Sequence, residues 1–157
     1  MAFFGAARQA RRDDKELGKG LWRRLHDRYR RGLDRYHQIL EGVADEALYA
    51  ELVAVADQLS GQLPEVRRCC TAAQREAPSE GMDVPGGRLG RMHRYLSKAG
   101  NSVAAAAEAA AMARLAGEQR GPLGDAGVPA AVASVRRQAA VVLEDIAEAV
   151  RCLEARD

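Results

Sequence analysis

The segment EGVAD, residues 41–45, separates two apolar rows and decides whether the chain runs on as one helix or turns back. Upstream, Leu17, Leu21, Leu25, Tyr29, Leu33, Tyr36 and Leu40 recur at intervals of three and four. Downstream, Leu48, Leu52, Val55, Leu59, Leu63, Val66, Cys70 and Ala73 do the same. That spacing is the mark of an amphipathic helix. At ~100° per residue, an unbroken helix would set the second row roughly 150° from the first. One rod would then carry two opposed apolar faces. A reversal near Gly42, with Asp45 as the next N-cap, lets the two rows meet instead.

Two further rows follow, Leu89–Met92–Leu96–Ala99–Val103–Ala107–Ala110 and Val132–Val135–Ala139–Val142–Ile146–Val150–Leu153. They are set apart by the Gly- and Pro-rich stretches 77–87 and 117–129, which read as loops. No alternating strand pattern is present in the sequence. The 59–63–66 spacing passes through Pro64 unbroken, so a kink is expected there rather than a stop. The expected fold is all-α, an up-down-up-down antiparallel four-helix bundle of one domain over 1–157. Its helices run roughly over 5–41, 45–77, 87–117 and 129–156.

Bulk properties agree with that class. A chain of 157 residues buries roughly 70% of its unfolded surface and needs no disulfide or metal staple. Aromatic residues make up only 4%, so the core is built mainly from Leu, Val and Ala. Net charge is +2, which gives no global case for a polyanion partner. Cys69, Cys70 and Cys152 form neither a metal-ligand spacing nor an even disulfide framework. No apolar run approaches the ~20 residues that span a bilayer. MAFFGAARQARR places its basic residues after its apolar start, the reverse of a signal peptide. A cytoplasmic location is the expectation.

The first row lies in LGKGLWRRLHDRYRRGLDRYHQIL (17–40), with seven Lys/Arg residues, a Trp, two Tyr and two His. Single-strand nucleic-acid binders put rings and cations on one surface. With Leu17 at 0°, Trp22, Tyr29 and Tyr36 fall near 140°, 120° and 100°, while Arg23, Arg24, Arg30 and Arg31 fall between about 220° and 340°. Rings and guanidiniums point apart, and Glu16, Asp27 and Asp34 sit within the Arg face. Nucleic-acid binding by this helix is not expected. Gly18 and Gly32 fall in the apolar arc, where a neighbour's close approach would use them.

Constellations for catalysis or a bound metal are lacking in the sequence. A di-iron bundle needs core carboxylates and paired Glu-x-x-His, and the nearest match is one Asp34-x-x-His37 on the outer face. His26 and His93 read as boundary residues, Cys70 as a small hydrophobe. GGRLG (86–90) follows no strand and lacks the Lys-Ser/Thr of a phosphate loop. No cofactor is expected.

Two features remain as candidate sites. Arg88, Arg91, Arg94 and Lys98 form a basic run with no carboxylate between them. If the first predicted helix starts at the same end, Arg8, Arg11, Arg12, Lys15 and Lys19 lie nearby, as an anion- or partner-binding surface. Phe3 and Phe4, the only phenylalanines, would overhang that end as an apolar anchor. The leading expectation is a non-enzymatic interaction or scaffold protein that self-associates or docks a protein partner. The alternative is a binder of anionic surfaces, including peripheral membrane contact, through the two basic segments.

Overall fold

The computed structural model describes residues 2–119 and 127–156. The fold is all-α, with no strand among the described residues. Six helices are present among them: α1 (Ala2–Leu17), α2 (Leu21–Glu41), α3 (Glu46–Gly61), α4 (Leu63–Glu76), α5 (Gly87–Glu118) and α6 (Gly127–Glu154). The longest seam runs between α5 and α6; α2 packs on α5, α4 and α3, and α6 also packs on α3 and α4.

The turn between α2 and α3 lies where the phase of the apolar rows requires it. Helix α2 stops at Glu41, and the Asp45 carboxylate accepts the N–H groups of Ala47 and Leu48 at 2.9 and 3.2 Å. That satisfies two of the four donors a helix start leaves free. Glu46, in the first turn, adds a favourable charge at the positive end of the α3 dipole.

The predicted helix over 5–41 is two helices. Gly18 adopts φ +70°, a left-handed conformation that a side chain disfavours, and its N–H closes on the Asp14 carbonyl at 3.2 Å. Gly18 is therefore a helix-ending residue, and it also admits the close approach the periodicity suggested, since an added Cβ would meet the Gln74 side chain. The break is held from outside: the Ser79 hydroxyl accepts the Leu21 N–H at 3.1 Å. Helix α1 then folds back, since Asp13 and Glu16 both reach Arg67, some two turns before the end of α4.

The predicted helix over 45–77 is also divided. Helices α3 and α4 meet at Gln62, which stays in right-handed helical conformation at φ −86°, ψ −15°. Pro64 sits in the first turn of α4, where its missing N–H costs nothing. The two helices join there without a loop.

Three rings on α2 clasp these elements. Trp22, Tyr29 and Tyr36 are at most 1% exposed. The Tyr36 hydroxyl donates to the Leu52 carbonyl at 2.8 Å, Tyr29 to Leu59 at 2.6 Å, and Trp22 Nε1 to Ala77 at 2.9 Å. Rising numbers on α2 meet falling numbers along α4 and α3, so α2 runs antiparallel to them. Leu59 lies in the last turn of α3 and Ala77 caps α4, so two rings satisfy carbonyls near helix ends. Burying such rings with their polar tips bonded combines apolar area with a net gain of about 1 kcal/mol per hydrogen bond.

Close packing completes the core. Ala99, Gly100, Ala106, Ala107, Ala110 and Ala113 line the buried face of α5, and Ala139 and Ala149 that of α6. At Gly32 an added Cβ would stand 2.8 Å from Val103 Cγ1, so there the missing side chain does admit a neighbour.

Candidate functional site

Helix α1 is attached at one end only. Its residues Ala2–Arg12 are all exposed, with Phe3 at 89% and Phe4 at 75%. Only Asp13 and Leu17 are buried. Helical periodicity puts Phe3, Ala6, Ala7 and Ala10 on the face that carries Asp13 and Leu17, and Arg8, Arg11, Arg12 and Lys15 on another.

The attachment is ionic. Asp13 Oδ1 meets the Arg67 guanidinium at 2.8 Å, with Arg30 and Arg23 at 3.7 and 3.9 Å from Oδ2. Gln9 Nε2 donates to the same carboxylate at 2.8 Å. Glu16 Oε2 accepts both Nε and Nη2 of Arg67, at 3.2 and 2.9 Å. Asp14 meets Arg23 at 2.9 Å. Burial pushes the Asp13 carboxyl up, but hydrogen bonds from Arg67 and Gln9 and the nearby positive charges outweigh it, so its pKa falls below the ordinary value. Glu16 is lowered by its hydrogen bonds to Arg12 and Arg67.

The structure distributes the sequence-named cations over three places. Arg8 and Arg11 stand on the free part of α1 with no ion pair among the described residues, and Arg12 pairs with Glu16 at 2.9 Å. Lys15 is exposed on α1 and Lys19 in the α1–α2 link. Arg88 is taken into the fold: it donates to the Leu153 carbonyl at 3.2 Å and pairs with Glu76. That clamps the start of α5 to the ends of α6 and α4. Arg91 and Arg94 line an open cleft of about 650 Å³ with Val84, Pro85, His93 and Ser97, and Lys98 lies over the Tyr95 ring at 5.8 Å.

The expected end-to-end juxtaposition fails because α1 does not continue α2. Helix α1 packs instead on α4 and α2, so the straight helix on which that juxtaposition depends is absent. The part of the second loop that covers 120–126 lies outside the described residues.

Three buried polar groups were not legible as such in the sequence: Asp13, His26 and Asp145. The His26 imidazole, 2% exposed, has Nδ1 3.0 Å from Asp27 Oδ1. A carboxylate only accepts, so Nδ1 carries the proton. Burial lowers the His26 pKa against the pull of Asp27, leaving a neutral, positioned ring. Cys69 and Cys70 are fully buried; burial pushes the Cys69 thiol up to about 11, against a smaller opposing effect of Arg68, and Cys70 higher still. Thiols so disfavoured as thiolates are packing groups, not nucleophiles. Among the described residues no three His, Cys, Asp or Glu side chains are grouped to hold a metal ion, and no helix is long and apolar enough to cross a membrane.

A second surface lies between α3 and α6. Ala54, Val55, Gln58, Ala140 and Leu143 line a groove of about 300 Å³, bordered by Glu51 and Arg136. In comparisons with known proteins, no family model, curated protein or solved structure matches this chain.

Proposed function

We propose that this chain is a non-enzymatic interaction protein, a four-helix scaffold that presents α1 as a docking arm to a protein partner or to another copy of itself. The observation that carries the reading is the pair Phe3 and Phe4, open at 89% and 75% on a helix whose first eleven described residues touch nothing closely enough to be covered. Exposed rings beside Arg side chains are the usual anchors of a protein interface. Support for the scaffold comes from the packing register. Trp22, Tyr29 and Tyr36 bond Ala77, Leu59 and Leu52, Gly32 meets Val103, and Arg88 reaches Leu153. These contacts fit an up-down-up-down order of α2, α3–α4, α5 and α6, with α1 laid on its flank. Three free cysteines suit a reducing, cytoplasmic setting.

The test is capture by the immobilised full chain, from host lysate and from its own pure solution. The wild type retains a partner or itself, and the Phe3→Ser, Phe4→Ser variant loses it at unchanged melting temperature. Equal capture by both chains would refute the docking role of α1.

One observation favours a second reading, binding of anionic surfaces. Arg91 and Arg94 share their cleft with no lining carboxylate. Flotation with acidic vesicles, falling with salt and with Arg91→Gln plus Arg94→Gln, would support it; absence of flotation at low salt would dismiss it.

A further inference from the structure

We infer that the α1 arm of one molecule docks in the α3–α6 groove of a second copy, each molecule giving one arm and receiving one. The inference rests on the reading of α1 as a docking arm and names its partner.

Charge is the first argument. The arm over residues 2–12 carries Arg8, Arg11 and Arg12 and no carboxylate. Residues 46–66, which include all of α3, carry Glu46, Glu51, Asp57 and Glu65 and no Lys or Arg. Glu51 borders the groove, and Asp57 is exposed on α3 three residues beyond Ala54, just outside the lining, so the apolar floor has carboxylates at and beyond its α3 edge. From α6, Arg136 lines the groove at 3.7 Å from Glu51, with Arg137 exposed next to it. An arm with an apolar tip and a basic stem is the complement of such a groove.

Shape is the second. The groove holds about 300 Å³ above Ala54, Val55, Ala140 and Leu143, room for an aromatic ring over a floor with small residues. Phe3 and Phe4 are the most exposed large apolar side chains described. They precede Arg8 and Arg11 by one to two helical turns, about 6–12 Å, within which long Arg side chains reach Glu51 and Asp57 once a ring is seated.

Within its own molecule the arm does not cover the groove. It is tied through Asp13, Asp14 and Glu16 to α4 and α2, and both rings stay open. Arm and groove are different patches, and a two-fold exchange satisfies both and closes at the dimer.

The experiment is sedimentation velocity on the full chain over a concentration series, with thermal melts as the folding control. The wild type should dimerise. Arg8→Glu with Arg11→Glu, and separately Glu51→Lys with Asp57→Lys, should each weaken the dimer roughly ten-fold or more. Mixing the two reversed chains should restore association, because both arm–groove contacts in the mixed dimer again pair opposite charges. Either reversal leaving the dimer unchanged, or a mixture that stays dissociated, would overturn the groove as the docking site. If Phe3→Ser with Phe4→Ser still abolished assembly in that case, the arm would keep its docking role with another occupant. A wild type that stays monomeric throughout would overturn the second copy as partner, leaving capture from lysate to decide the arm itself.

Discussion

Asp13 on α1 and Arg67 on α4 meet at 2.8 Å, and this pair fixes the direction in which the chain turns after Leu17. The carboxylate is 2% exposed and the guanidinium 20%. Removing Asp13 leaves Arg67 with Glu16 as its carboxylate partner and loses a charged hydrogen bond worth about 1.5–3 kcal/mol. Helix α1 buries only Asp13 and Leu17, and without Asp13 it is left with the more exposed Glu16–Arg67 and Asp14–Arg23 pairs. Asp13→Ala should therefore release α1 alone. Hydrogen exchange would show protection lost over residues 2–17 and kept in α2–α6; full protection of α1 in the variant would contradict the ionic attachment.

Acid should loosen the molecule in two stages. The His26 pKa is lowered from 6.5, by burial first and despite Asp27, so below about pH 6.5 the unfolded chain takes up the proton before the folded one and stability falls. His93, lowered by burial, acts in the same direction. Asp13 and Glu16 lie below their ordinary values of 3.8 and 4.5. Their contribution is complete above about pH 5 and is lost as pH falls through the folded values. Melting temperature should decline from about pH 6.5 downward, and exchange in α1 should rise only in stronger acid. A melting temperature flat between pH 7 and 5 would disagree with a buried neutral His26.

Asp145 is a polar group the fold tolerates at a cost. It is 8% exposed, and its Oδ2 has no hydrogen-bond partner. Burial raises its pKa against the pull of Lys98, and Glu144 and Glu148 raise it further. At neutral pH the ionised form is thus disfavoured in the fold. Asp145→Ala removes the stranded oxygen and adds a better helix former, for a gain of about 1–2 kcal/mol. Thermal unfolding would record a rise of about 2–8 °C; a lower melting temperature would reveal a partner that Asp145 serves.

Gly32 and Val103 hold α2 against α5. In an exposed helix Gly→Ala gains ~1 kcal/mol, but here the new Cβ would lie 2.8 Å from Val103 Cγ1. Overpacking of this kind costs about 1–3 kcal/mol. Gly32→Ala should lower stability on balance, and Val103→Ala in the same chain should recover part of the loss. A stabilised single variant would mean that α2 and α5 are free to separate.

The helical class and the inner face of α2 were legible because they follow from spacing. Trp22, Tyr29 and Tyr36 stand seven apart, and seven residues bring a helix nearly back to the same face. Asp45 was legible because a cap is chemistry between residues two or three apart. The break at Gly18 was hidden by the Leu17–Leu21–Leu25 row, whose interval of four runs unbroken across it. Nothing local marks Asp13 as buried, since its partners Arg67 and Arg30 are set beside it by the turn itself. Phase similarly carried the second row through Pro64, because Gln62 keeps nearly helical backbone angles. For the candidate site the outcome follows the same division. Phe3, Phe4, Arg8 and Arg11 stand exposed, as an amphipathic end predicts, whereas Arg88 is drawn inward by Glu76 and Leu153 from other helices.

The claim that the tip of α1 is the docking element is tested most directly by comparing how the full chain and its Phe3→Ser, Phe4→Ser variant sediment as concentration rises. The wild type should pass from monomer to dimer, while the variant, with an unchanged melting temperature, should remain monomeric. Identical sedimentation of the two chains would contradict the account.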